Sequence, residues 1–139
     1  TGGAPVDGSR ETEIPGVFAC GNVLHVHDLV DYVSEESVIA GRAAVAYING
    51  EAKKTASVSI STDGRVRYTV PQRLTEVKDT EIYFRVSDVF RDMKIVVREG
   101  DRVLLEKKKQ KLAPGEMECV KLTADKLACV NELVFGLED

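Results

Sequence analysis

The sequence has no tryptophan, only two histidines and only 6% aromatic residues. Its apolar runs are all far shorter than the ~20 residues needed to cross a bilayer as a helix. Three cysteines, Cys20, Cys119 and Cys129, are an odd number at wide spacing, with no Cys-x-x-Cys pair. That pattern excludes a disulfide framework and a zinc knuckle, and suits a reducing, cytoplasmic compartment. No basic-then-apolar leader opens the chain, and its first residue is Thr1 rather than Met, so it reads as the later part of a longer polypeptide. A net charge of -4 and a pI near 5.3 offer nucleic acid or anionic lipid no general attraction.

What remains is an ordinary folding composition, 43% hydrophobic and 30% charged over 139 residues. The pattern changes near residue 52, which predicts two parts, 1–52 and 53–139. In the first part, Ile14-Pro15-Gly16 signals a turn, and Val17-Phe18-Ala19-Cys20 is a short apolar run ending at Gly21-Asn22. Such a run predicts a buried strand of a parallel sheet. From Ser34 to Ile48 the period becomes helical, with Val38, Ile39, Ala43, Val45 and Ala46 on the expected core side and Glu35, Glu36 and Arg42 on the solvent side. Asp31 or Ser34 is the expected N-cap, and Asn49-Gly50 ends the helix. Ala40 and Gly41 predict close packing against another backbone.

The second part reads as about seven strands: Val58–Ile60, Val66–Val70, Ile82–Val86, Met93–Val97, Val103–Leu105, Met117–Leu122 and Leu133–Leu137. Asp63-Gly64 predicts a hairpin between the first two, and Glu99-Gly100-Asp101 a second hairpin. Short strands with turn signals at intervals of roughly 8–12 residues predict an immunoglobulin-like β-sandwich. The fold class expected is therefore mainly β, a sandwich of about seven strands preceded by a strand–loop–helix remnant of an α/β domain.

The stretch from Thr12 through Pro15-Gly16-Val17-Phe18-Ala19-Cys20-Gly21-Asn22 to the helix with Ala40-Gly41 resembles the last motif of FAD-dependent pyridine nucleotide (disulfide) oxidoreductases. The run from Gly21 to Asp31 further resembles a bacterial subfamily of NAD(P)/FAD-dependent oxidoreductases with a β-rich C-terminal extension. The resemblance implies that Gly21 lets backbone approach the cofactor and that Asn22, where the family usually has Asp, hydrogen-bonds the ribityl end. It implies that Tyr32, Val33 and Ser34 at the helix start face the flavin edge. FAD would be the cofactor of the full-length enzyme, and NAD(P) would bind through an upstream domain. The sequence has no Gly-x-Gly-x-x-Gly turn, and Thr1-Gly2-Gly3 is too little to count as one, so the fragment alone is expected to hold neither cofactor and to be inactive. Its partners would be the rest of its own polypeptide, a second copy or another oxidoreductase subunit.

His25 and His27 are candidate acid–base groups near the flavin. His-x-His followed by Asp28 also suggests a metal, but a metal needs a third or fourth ligand and there is no further histidine, so no metal site is expected. The unremarkable reading is a solvated or structural loop. Cys20 is expected as a small packed hydrophobe, Cys119 and Cys129 as core or edge residues, and Lys107–Lys111 as lysines guarding a strand edge. The alternative function is a free-standing immunoglobulin-like interaction module without catalysis.

Overall fold

A computed structural model describes residues 2–139. Its one long helix is α1 (Val30–Ile48), and its strands are β1 (Val58–Thr62), β2 (Val66–Val70), β3 (Arg73–Leu74), β4 (Thr80–Val86), β5 (Phe90–Glu99), β6 (Arg102–Leu112), β7 (Glu118–Leu122) and β8 (Glu132–Glu138), with a single helical turn α2 (Ala124–Leu127) before β8. All seven expected strands are present, most of them longer than their apolar cores suggested. The eighth, β3, spans two residues, too short for any period to reveal it.

The strands form two sheets, β3-β1-β8-β5-β6 and β2-β4-β7. Alternate residues of both contribute to one core, including Val58, Ile82, Phe84, Ile95, Val97 and Phe135. Phe84 of one sheet meets Phe135 of the other edge-to-face, ring centroids 5.9 Å apart. This is the period-2 alternation of a two-layer β fold. The strand order is not that of an immunoglobulin constant domain, in which the first two strands share a sheet. Here β1 pairs in parallel with β8, Ser59 opposite Glu132 through Thr62 opposite Phe135, while β2 pairs with β4 across the core.

The expected Asp63-Gly64 hairpin is therefore an arch between sheets. Asp63 supplies the reason. Its Oδ1 accepts the N–H groups of Arg65 and Val66, its Oδ2 accepts that of Leu137, and its own N–H donates to the Phe135 carbonyl. The turn is thus fastened to β8, leaving β2 free to enter the opposite sheet. The second expected hairpin forms as read, with β5 antiparallel to β6 around Gly100 at φ 54°. The lysine run Lys107–Lys111 lies on β6, at the edge of the five-stranded sheet, where charged side chains discourage pairing with another chain.

The first fifty residues depart further from expectation. Val17–Cys20 is not a strand of a parallel sheet. Its one ladder contact is an antiparallel bridge from Phe18 to Glu11, because the described residues place no parallel neighbour beside it. Helix α1 starts at Val30, four residues before Ser34, with Leu29 at its N-cap and no side-chain cap, so Asp31 falls inside the first turn. Its inward side is also different. Glu36 and Ala40 are its buried residues, while Val38, Ile39 and Val45 point outward. The helix therefore buries Glu36 and Ala40, while Val30, Val38, Val45 and Ile48 are at least half exposed. Gly41, expected to pack against backbone, has nothing within 4 Å of where a Cβ would stand.

The leading segment is tied to the sandwich by polar contacts. Gln72 Oε1 accepts the Val6 N–H at 2.8 Å, Thr75 Oγ1 donates to Asp7 Oδ2 at 2.9 Å, and Arg73 donates to the Thr12 carbonyl at 2.9 Å. A small apolar cluster of Val6, Leu24 and Val70 sits beneath them. Replacing Phe84→Ala should lower unfolding free energy by about 3–5 kcal/mol, the usual range for truncating a buried aromatic ring. Urea unfolding should show a lower midpoint at unchanged slope.

Candidate functional site

The densest chemistry lies where the leading loop, the turn before α1 and the helix itself meet. Residues 7–11 turn tightly: Asp7 Oδ1 accepts the N–H groups of Ser9 and Glu11, and Arg10 takes φ 68°, a left-handed conformation uncommon for a side-chain-bearing residue. That turn sends the Arg10 side chain inward, where Nε donates to Glu36 Oε1 at 2.9 Å. Glu36 Oε2 accepts the backbone N–H of Gly21 at 2.7 Å and Nε2–H of His27 at 2.8 Å. Since a carboxylate only accepts, His27 carries its proton on Nε2. The side chains of Arg10, Glu36, His25 and His27 are all at least 98% buried.

Burial by itself would raise the carboxyl pKa of Glu36. The His27 hydrogen bond, the Arg10 charge and the Gly21 N–H outweigh it and hold the group below the ordinary value, so it is ionised. His25 is the unsatisfied member. Its Nε2 stands 4.0 Å from Glu36 Oε1, and neither ring nitrogen has a hydrogen-bond partner among the described residues; His27 Nδ1 has none there either. The two rings lie 4.3 Å apart, with Tyr68 and Tyr83 beyond them. Burial first, then the His27, Arg10 and Arg85 charges, push the pKa of His25 down to about 4, against the pull of Glu36.

The loop holding the histidines is anchored by its next residue. Asp28 accepts from Arg85 Nη2 at 2.6 Å and from the Met117 N–H at 2.7 Å, and Arg85 also donates to the Val26 carbonyl at 2.8 Å. A cavity of about 510 Å³ opens beside His25, lined also by Arg67, Tyr68 and Arg85.

The expected cofactor residues are only partly gathered. Gly21 is buried at φ 72°, its N–H already given to Glu36, and an added Cβ would stand 3.4 Å from Val33 Cγ1. The glycine therefore serves the turn and the approach of the helix. Asn22 is exposed beside it. Val33 covers the turn, Tyr32 leans toward Tyr83 with ring centroids 6.0 Å apart, and Ser34 is exposed and donates to the Val30 carbonyl. His25 and His27, expected near a flavin or in a structural or solvated loop, are interior. Cys20 is half-buried, with its thiol 3.7 Å from the Ser37 hydroxyl; Cys119 is half-buried on the edge strand β7; Cys129 is exposed in the turn before β8.

Sequence reading missed Arg10 and Glu36. Glu36 had one available signal: it stands four residues before Ala40, and these two together define the buried stripe of α1. Comparison of the chain with family models, with curated proteins and with solved structures finds no match.

The pH dependence of stability follows from His25. Unfolding restores its ordinary pKa of 6.5, so between pH 6.5 and about 4 the unfolded chain binds a proton that the folded chain does not. This contribution is complete above pH 6.5 and is lost as pH falls through that window, at up to about 1.4 kcal/mol per pH unit. Urea unfolding at pH 7, 6 and 5 should show the decline, and His25→Gln should flatten it. An unchanged slope in the variant would refute the assignment.

Proposed function

We propose that this chain is the C-terminal part of an FAD-dependent, NAD(P)H-linked oxidoreductase, in which the turn at Gly21-Asn22 and the start of α1 form the ribityl and flavin-edge side of the cofactor site. The observation that carries the reading is the apolar surface of the first fifty residues. Val23, Val26, Leu29 and Val30 precede or open α1, and Val30, Val38, Val45 and Ile48 fall on one side of it by helical period, all at least half exposed. Beyond residue 50, the large hydrophobics comparably exposed among the described residues are scattered singly at Val77, Val89 and Val103. Contiguous apolar surface marks a contact face, whereas single residues need no account.

Three further features agree with this reading. The first turn of α1 carries no side-chain cap, so its N–H groups and dipole remain available to negative charge on a reduced flavin. Asn22 is exposed at the turn and offers both a donor and an acceptor to ribityl hydroxyls. Gly41 stands mid-helix on an open face, where it costs about 1 kcal/mol relative to alanine unless something packs closely there. The occupant of the apolar face would be the remainder of the FAD-binding domain, and the glycine-rich turns for FAD and for the nicotinamide cofactor would lie in that remainder. The sandwich would then be an extension placed against the flavin domain.

The second reading, a free-standing interaction module, draws on the leading segment's own bonds to the sandwich through Val6, Asp7 and Thr12. The two differ in what the gene encodes. On the oxidoreductase reading, the open reading frame carries two glycine-rich dinucleotide turns upstream of Thr1, and the full product binds FAD. Asn22→Leu in that product should weaken FAD binding at least tenfold, measured by flavin absorbance near 450 nm after gel filtration. The 139-residue chain mixed with FAD should elute colourless. A reading frame without those turns, or wild-type affinity in the variant, overturns the proposal.

A further inference from the structure

The metal that the sequence argued against for want of a third ligand has one in the folded chain. One nitrogen of His25, one of His27 and a carboxylate oxygen of Glu36 lie within 4.8 Å of one another. They come from the loop before α1 and from its second turn, and nothing in the spacing His-x-His shows that they meet. From this geometry we infer a binding site for a single divalent transition cation, held by His25, His27 and Glu36.

The donor set is two imidazoles and a carboxylate, the combination that catalytic zinc sites use and that non-haem iron(II) sites use as a facial triad. Hard cations such as Mg²⁺ or Ca²⁺ prefer all-oxygen shells and fit it poorly. Ligand imidazoles must be neutral. The His25 and His27 side chains are both at least 99% buried, and burial favours the uncharged imidazole.

His25 also supplies a reason for a ligand to be there. It is 99% buried by side chain, and neither nitrogen has a partner among the described residues. A buried polar group left unpaired costs about 1–3 kcal/mol. A cation on one of its nitrogens satisfies it, where a hydrogen bond to Glu36 at 4.0 Å does not.

Arg10 and Arg85 oppose a cation, and each is paired with a carboxylate, Glu36 and Asp28. Arg10 Nε bonds Glu36 Oε1, leaving Oε2 as the ligand atom, and an arginine on the far oxygen orients a metal-bound carboxylate as outer-shell partners do. With Glu36 balancing Arg10, the cation faces two neutral imidazoles, close to the charge of a three-histidine zinc site. Binding requires His27 to exchange its bond to Oε2 for the metal and the ligand atoms to draw in by roughly 1 Å, since zinc holds nitrogen and oxygen at about 2.0–2.2 Å. His25 also contributes to the wall of a cavity of about 510 Å³ that Arg67 and Arg85 line.

The test uses the 139-residue chain, free of any affinity tag and stripped of metal with chelator, titrated with Zn²⁺ by calorimetry and with Co²⁺ by its visible absorbance. The expected result is one equivalent bound, a higher thermal midpoint with Zn²⁺, and tetrahedral or five-coordinate Co²⁺ bands without thiolate charge transfer. His25→Ala removes a side chain with no hydrogen bond of its own, so the variant should keep its far-ultraviolet dichroism and bind at least tenfold more weakly. Should His25→Ala fail to fold, His25→Gln, which keeps most of the side-chain volume and leaves the Glu36 bonds to Arg10, Gly21 and His27 in place, should show the same weakening. No saturable binding, equal affinity in the folded variants, or binding abolished by Cys129→Ser overturns the site. The readout needs no flavin, so it succeeds or fails independently of the oxidoreductase reading.

Discussion

The arrangement of the first fifty residues depends on one buried carboxylate. Glu36 binds the guanidinium of Arg10, the backbone N–H of Gly21 and the imidazole of His27, and each comes from a different stretch of chain. An ionised carboxylate in an interior is tolerated only when its charge is paired and its oxygens are occupied. The loop at residues 7–11, the turn at Gly21 and the histidine loop must therefore all converge on α1. The left-handed Arg10 and the positive φ of Gly21 are local costs that this convergence offsets. Neutralising Glu36 would leave Arg10 buried without its partner, and breaking a buried pair in this way ordinarily costs about 3–5 kcal/mol.

The same hub decides how α1 lies. With Glu36 and Ala40 turned inward, the bulky residues of the helix have to face outward. A helix whose polar residue is buried and whose valines are exposed inverts the usual division of faces. It becomes coherent if a further layer covers the outer side. The anchoring of α1 to the leading segment and the exposure of its valines are thus two results of one orientation.

Much of the sandwich was legible. Alternation located every strand longer than two residues, because the side-chain period of a strand is written directly into the order of residues. Glycine at 100 marked a true hairpin for the same local reason. The Asp63-Gly64 turn misled because a turn signal fixes that the chain reverses, while the sheet its second arm joins is set by Asp63 bonding to Phe135 and Leu137, more than seventy residues away. The helix was found and its face misassigned: the outward valines match a core stripe in period, and period alone does not say which side the core is on. Of the candidate site, Gly21, Asn22 and the two histidines were visible in the sequence. Arg10 and Glu36 were not, since an isolated charged residue reads as solvated until its neighbours are known.

By itself, then, the sequence determined the local structure: strands by alternation, one helix by its 3.6-residue period, turns by glycine and aspartate, and no helix apolar and long enough to cross a membrane. Only the tertiary structure decided which sheet each strand joined, which face of α1 was buried, and that two histidines, an arginine and a glutamate share one interior. Local order follows from neighbours in sequence, whose interactions are short-ranged. The burial of a charge is decided by everything packed around it, and for Glu36 that means partners 9, 15 and 26 residues away.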